Sequence, residues 1–161
     1  MEAEGKTMSE QIVVSSDTFT IEAPAALVWQ VIVDFASYDQ WNEFCPSIEA
    51  ELVLGSPVVM KVDLGHGLSD QVEYMSCIEA PQRIAWAMEN NPGDPIHAER
   101  WQVIEPVDEH RCTYVTYDEF SGPEVQGMVE MMGEPVRKGF NLCAEGLKRR
   151  AEQLYSSETA R

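Results

Sequence analysis

Apolar and polar residues alternate with a short period through most of the chain, interrupted by a helical stretch after Pro24, and give way near residue 123 to a long helical period. Ile12 to Glu22 ("IVVSSDTFTIE") is β-rich, with Val13, Phe19 and Ile21 in one phase, and predicts a first strand. In "EAPAALVWQVIVDF", Pro24 suits a first helical turn. Leu27, Val28, Trp29, Val31, Ile32, Val33 and Phe35 then crowd most sides of that helix, so it should be buried on more than one side. Alternation returns at Ile48, Ala50 and Leu52, and at Val58, Met60, Val62 and Leu64. It continues at Val72, Tyr74 and Ile78, at Ile84, Trp86 and Met88, from His97 to Ile104, and from Cys112 to Phe120. Gly55-Ser56-Pro57, Gly65-His66-Gly67, Ala80-Pro81, "NNPGDP" and "EPVDEH" separate these runs as turns. Short strands joined by polar turns predict an antiparallel sheet.

After Ser121-Gly122-Pro123, apolar residues fall at Val125, Val129, Met132, Val136, Phe140, Cys143, Leu147, Ala151 and Leu154. Steps of three and four predict a helix from about Pro123 to Tyr155, on the order of 45–50 Å long at 1.5 Å per residue. Pro135 should kink or break it near Gly133-Glu134. A separate question arises at "DFASYDQWNEFCP", where Phe35, Tyr38, Trp41 and Phe44 recur every three residues. An α-helix turns about 100° per residue, so it cannot hold all four on one wall. Ser37 and Gln40 have the S-x-x-Q form of a capping box. This predicts a second short helix after Ser37, carrying Trp41 and Phe44 and ended by Pro46, with Phe35 left on the first helix.

The order is therefore strand, two helices, six strands, long helix. It predicts an α+β fold: a curved antiparallel sheet of about seven strands wrapped around the long C-terminal helix, with two short helices after the first strand. The 161 residues suit one domain, taken as 11–155 between an N-terminal tail (1–10) and a C-terminal tail (156–161). Space between a curved sheet and a single helix leaves room for a cavity.

Charge narrows the partners. Eleven Lys and Arg stand against 28 Asp and Glu, a formal net charge of −17, which opposes nucleic-acid backbones and anionic membrane surfaces. Lys148-Arg149-Arg150 reads as complementing the dipole of a helix end. Cys45, Cys77, Cys112 and Cys143 are widely spaced and share no ligand spacing with His66, His97 or His110. They read as reduced thiols, with no metal site and no cofactor. There is no long apolar run for stable membrane insertion and no secretory h-region, so a cytoplasmic location is expected, as a monomer or homodimer.

Three stretches, "IEAPAALVWQVIVDFASYDQWNEFCP", "RWQVIEPVDEHRCTYVTYDEFSG" and "GFNLCAEGLKRRAE", together with the strand order, resemble the SRPBCC superfamily. That superfamily includes START-like lipid-transfer domains and polyketide cyclases, and the "EFSG" ending looks more like its polyketide cyclase/dehydrase and lipid-transport branch. The resemblance implies a helix-grip fold with an internal cavity. It implies a small hydrophobic or amphipathic ligand (a lipid, quinone, aromatic or polyketide-like compound). A cyclase, aromatase or dehydratase is the alternative, and an acidic protein-interaction module a third.

Candidate lining residues are those whose phase points toward the helix: Trp86, Met88, Trp101, Tyr114 and Thr116, with Met128, Met131 and Met132 from the helix itself. Tyr38 and Trp41 are candidates at the mouth. The phases of the last two strands are both open. In one arrangement, His97, Glu99 and Asp118 meet inside as an acid–base set; in the other, Arg100 and Glu119 point inward and His97 faces solvent. No dinucleotide, P-loop, H-E-x-x-H or G-x-S-x-G motif occurs.

Overall fold

Eight antiparallel strands account for the alternating segments in the computed structural model, which describes residues 11–159. They are β1 (Gln11–Ser15), β2 (Phe19–Ile21), β3 (Ser47–Glu49), β4 (Pro57–Asp63), β5 (Leu68–Glu79), β6 (Arg83–Ala87), β7 (His97–Asp108) and β8 (Arg111–Ser121). The helices are α1 (Ala25–Val33), a 3₁₀ turn (Phe35–Gln40) and α2 (Val125–Thr159). The sheet runs β1-β8-β7-β6-β5-β4-β3, and β2 also pairs with β8. This is the helix-grip arrangement, a sheet packed on a long C-terminal helix. The expected N-terminal tail, 1–10, lies outside the described residues, as do residues 160 and 161. Residues 156–159 of the expected C-terminal tail continue the helix.

The single strand expected over Ile12–Glu22 is two. Ser15 pairs with Tyr117 and Phe19 with Tyr114, so three residues on one side span two on the other. The Ser16 N–H donates to the Thr116 carbonyl at 2.9 Å, and the Ser16 hydroxyl accepts from the Thr116 N–H at 3.1 Å. A side chain thus completes the ladder where the backbone cannot.

The aromatic series is explained by a different helix. A 3₁₀ helix has about three residues per turn, so positions i and i+3 eclipse. Phe35, Tyr38 and Trp41 follow that row, with ring centroids 5.9 and 4.8 Å apart. Asp34, with ψ at 73°, ends α1, and no side-chain cap is made, so the expected capping box at Ser37 does not form. Trp41 closes the turn rather than opening a helix, and Phe44 lies beyond it. Tyr38 instead locks the corner by donating its hydroxyl to the Ile32 carbonyl at 2.6 Å.

Of the kink or break expected at Pro135, the break does not occur: helix α2 runs unbroken through it. The proline leaves the carbonyl four residues back, on Met131, without its helical partner. Met131 is 74% exposed, so water can satisfy that carbonyl. The basic cluster Lys148-Arg149-Arg150 is not at the helix end, since the last turn carries no basic residue. Lys148 instead donates to the Thr20 carbonyl at 2.6 Å and to Glu152 at 2.8 Å, tying α2 to β2.

Two glycines set how closely α2 approaches the rest. A Cβ on Gly146 would overlap the Trp41 carbonyl oxygen, and one on Gly139 would overlap the Phe44 ring. Phe44 then meets Phe140 edge-on at 5.4 Å. Gly127, on the same helix, has nothing within 4 Å of where its Cβ would be. Gly127→Ala should therefore stabilise by about 0.5–1 kcal/mol through helix propensity. Gly146→Ala should destabilise by roughly 1–3 kcal/mol, because overpacking outweighs the same propensity gain. Urea unfolding of the two variants checks the opposite signs.

Candidate ligand cavity

A cavity of about 240 Å³ lies between the sheet and the N-terminal half of α2. Val62 and Leu64 follow from β4, Gln71 and Glu73 from β5, and Met88, Ile96 and Ala98 from the β6–β7 region. Asp118 and Phe120 come from β8, and Met128, Met132, Val136 and Phe140 from α2, with Phe44 at one end. The wall is largely apolar, and its charged groups are two carboxyls. A larger groove, about 860 Å³, runs outside α2 past Phe19, Lys148, Arg149 and Glu152. It is open to solvent and lined by solvated charges, whereas the inner cavity is lined mainly by apolar side chains.

The backbone puts Glu73 inside by a bulge. Ile78 pairs with Ile84 on the inner face, and Met75 pairs with Trp86 there too, although the two differ by three positions. The irregularity between Met75 and Cys77 flips the phase of β5. Bulges re-aim side chains in this way. The apolar Val72, in phase with Ile78 by simple alternation, is consequently turned outward and 49% exposed, opposite Val59. Glu73 and Gln71 take the inner face.

Register decides the next two strands. Residues directly opposite in an antiparallel pair share a face. Arg100 faces Asp118, and Glu99 faces Glu119. Arg100 and Asp118 both point inward, whereas Glu99, Glu119 and His97 lie on the outer face. The Arg100 side chain is buried behind the cavity wall, beside the lining residues Phe44 and Phe140. Its Nε donates to Thr116 Oγ1 at 2.9 Å, and Nη2 lies 3.5 Å from Cys143 Sγ. Its carbon sits 4.5, 5.4 and 5.8 Å from the ring centres of Phe140, Phe44 and Trp86. Thr116 passes its own proton to the Trp101 carbonyl at 2.8 Å, and Tyr114 donates to Gln102 Oε1 at 2.5 Å. A layer of satisfied polar groups thus underlies the apolar chamber.

Of the sequence candidates, Met88, Met128, Met132 and Asp118 line the cavity. Trp86, Tyr114 and Thr116 face the same way but lie in the buried layer beneath it. Met131 points to solvent, 74% exposed. Trp101 is on the outer face, with the Arg83 guanidinium 5.3 Å above its ring. His97 meets the Asn91 carbonyl at 2.9 Å, and Glu99 accepts from Ser76 at 2.7 Å, both away from the chamber. The structure thus keeps Asp118 apart from His97 and Glu99. Tyr38 and Trp41 are buried in the core and not among the lining residues. Glu73, Gln71, Phe44 and Phe140 were not singled out by sequence reasoning. Arg100 entered only through the alternative strand phase.

Environment separates the two carboxyls. Burial, reinforced by the nearby Asp118 charge and opposed by Arg100, pushes Glu73 up to about 8. Burial also pushes Asp118 up, to about 6, with Arg100 again opposing. At neutral pH, Glu73 is mostly a neutral acid and Asp118 mostly a carboxylate. Burial pushes the Cys45 thiol up to about 12 and Cys112 up to about 11, so neither is a ready nucleophile.

A raised carboxyl pKa means the folded state holds the proton more tightly than the unfolded chain does. The ligand-free protein is then stabilised at acid pH and loses that stability as pH rises from about 4 through 8. Glu73→Gln removes the penalty. It should leave stability unchanged near pH 4 and raise it at pH 8, by on the order of a few kcal/mol at most. Thermal melts of both proteins across this range check it; parallel pH curves would contradict the assigned environment.

The comparisons with known proteins agree with this architecture. The model describing polyketide cyclase/dehydrase and lipid transport proteins matches residues 13–152. The Zhui aromatase/cyclase from a Streptomyces species superposes with a TM-score of 0.69 at 21% identity, over 89% of this chain and 95% of that one. A START superfamily protein from Mycobacterium smegmatis gives 0.61 at 19%, over 88% and 98%. In sequence, "Oxopyrrolidines biosynthesis cluster protein O" from Penicillium oxalicum is 27% identical, over 76% of each chain. No helix among the described residues is long and apolar enough to cross a membrane. With the family model spanning nearly all of the sheet and most of α2, the chain belongs to the polyketide cyclase/dehydrase and lipid transport family of the SRPBCC superfamily.

Proposed function

We propose that this protein binds a small, mainly apolar molecule in the cavity between the sheet and α2, and reads one polar group on it with Glu73 and Asp118. The observation that carries this reading is an apolar chamber of about 240 Å³ holding two carboxyls, neither hydrogen-bonded to any described residue. Both side chains are only part-buried, so their acceptor oxygens stand at the cavity surface, where a ligand's donor can replace water. Ligand pockets run from about 300 to 1,000 Å³, so this one suits a one- or two-ring compound or a short chain better than a diacyl lipid. Apolar burial supplies most of the affinity, and the flexible Met88, Met128 and Met132 adapt the wall.

The split pair also favours a second reading, proton transfer on the bound molecule. Asp118 is the carboxylate positioned to accept a proton and Glu73 the neutral acid positioned to return one, titrating about a unit either side of neutrality. A cyclase or dehydratase needs those two roles. If it operates here, Asp118→Asn loses turnover while keeping ligand binding.

Thermal shift tests the binding reading, using protein stripped of small molecules by unfolding and refolding. A cognate class of compound at about a hundredfold over Kd should raise the melting temperature by roughly 5–10 °C. Ala98→Phe, which fills the chamber, should abolish the shift and keep the fold. If no small aromatic or short-chain compound shifts the wild type, and no apolar molecule co-purifies by native mass spectrometry, the reading fails.

A further inference from the structure

We propose that the cavity selects a ligand bearing a protonated amine, held between the Glu73 and Asp118 carboxyls with its apolar body against α2. This rests on the reading of the cavity as a ligand site and names the chemical class it takes. The geometry is a mismatch of donors and acceptors. Glu73 from β5 and Asp118 from β8 bring four carboxyl oxygens into one chamber, and no described residue donates to any of them. Arg100, the neighbouring cation, does not fill the deficit. It donates to Thr116 Oγ1, with Cys143 Sγ also in reach, and its plane lies among Phe44, Trp86 and Phe140. It makes no ion pair with a carboxylate among the described residues. It offsets one negative charge from a distance and leaves the oxygens free.

The helix side adds nothing that titrates: Met128, Met132, Val136 and Phe140 face the pair from α2, and Val62 and Leu64 continue β4. Gln71 on β5 is the remaining polar neighbour and is neutral. The groups that govern charge here are thus Glu73, Asp118 and Arg100. With Glu73 ionised they sum to one net negative charge, which a single ammonium cancels. An ammonium also brings three donors, matching a wall rich in acceptors. A ketone could take only the one proton on Glu73 and would leave the Asp118 carboxylate unpaired. A carboxylate or phosphate would add like charge beside two acids, which is unfavourable.

Binding of the amine drives the Glu73 proton off, since an adjacent cation favours the ionised acid. The cost is small near neutrality, because that carboxyl titrates at about 8. Proton release on binding is therefore part of the proposal.

The test is isothermal titration calorimetry with four probes that share one ring and a two- or three-carbon arm: 2-phenylethylamine, 2-phenylethanol, phenylacetone and phenylacetate. At pH 7.5 the amine should bind at least about tenfold more tightly than the alcohol or ketone, and phenylacetate weakest of all. The apparent binding heat of the amine should vary with the buffer's ionisation enthalpy, reporting proton release. At pH 5.5 the amine's advantage should shrink as both carboxyls take up protons. In a Glu73→Gln, Asp118→Asn double variant the advantage should vanish while the alcohol's affinity stays within about twofold. Because Asp118 balances Arg100, the fold of that variant is checked by its melting curve, and Glu73→Gln alone, which keeps that charge, should lose the proton release on amine binding. Equal or tighter binding of the ketone, alcohol or carboxylate overturns the amine assignment and leaves the ligand site standing. So does binding of larger uncharged aromatics when the amine does not bind. If no apolar compound of any class binds, the ligand-site reading itself falls and the amine assignment with it.

Discussion

A guanidinium enclosed by the core is the constraint around which the rest of this structure is arranged. An arginine cannot shed its charge, and an ion taken out of water costs several kcal/mol unless the surroundings compensate. Here compensation comes from every side. Thr116 on β8 accepts from it, Cys143 on α2 touches it, and the faces of Phe44, Phe140 and Trp86 surround it. Arginine suits such a place because it is planar, weakly hydrated and stacks on rings. The same contacts join β7, β8, α2 and the segment after the 3₁₀ turn at one point. The negative charge that balances it stands above, in the cavity, as Asp118 directly across the β7–β8 ladder. Glu73 can then sit nearby as a largely neutral acid, because one ionised neighbour already answers the cation.

The position of the cavity follows from how α2 is held. Over Gly139 and Gly146 the helix lies against Phe44 and the Trp41 backbone with no side chain between them. Lys148 and Arg137 fasten the same stretch to Thr20 and Asp17. Toward its N-terminus the helix carries methionines and Val136 over the β5 and β8 carboxyls, and the space opens there. One end of the helix is a clasp and the other a lid.

The element order and the long terminal helix were legible in the sequence because each rests on local periodicity, and the family was legible through three resembling stretches. Three things were not, each for a physical reason. Glu73 was hidden by the bulge after Met75: alternation carried back from Ile78 puts Val72 and Tyr74 inside, and one extra residue reverses that. Arg100 was left open because a strand's own pattern does not report which partner residue stands opposite it, and only the β7–β8 register pairs it with Asp118. The row Phe35, Tyr38, Trp41 was read against an α-helical turn, when its spacing of three is the period of the 3₁₀ helix that forms there. Pro135 shows the opposite error, in which a strong local signal was tolerated because the carbonyl it orphans lies on an exposed residue.

The central claim is that two carboxyls of different ionisation share one largely apolar chamber beside a buried cation. Carbon-13 NMR of the side-chain carboxyl carbons, followed from pH 3 to 10 in the ligand-free protein, measures it directly. Glu73 should titrate near pH 8 and Asp118 near 6, each assigned by the loss of its signal in the amide variant. Ordinary midpoints near pH 4 for both groups would mean that the chamber is open to water and that the pair is not the polar end of a ligand site.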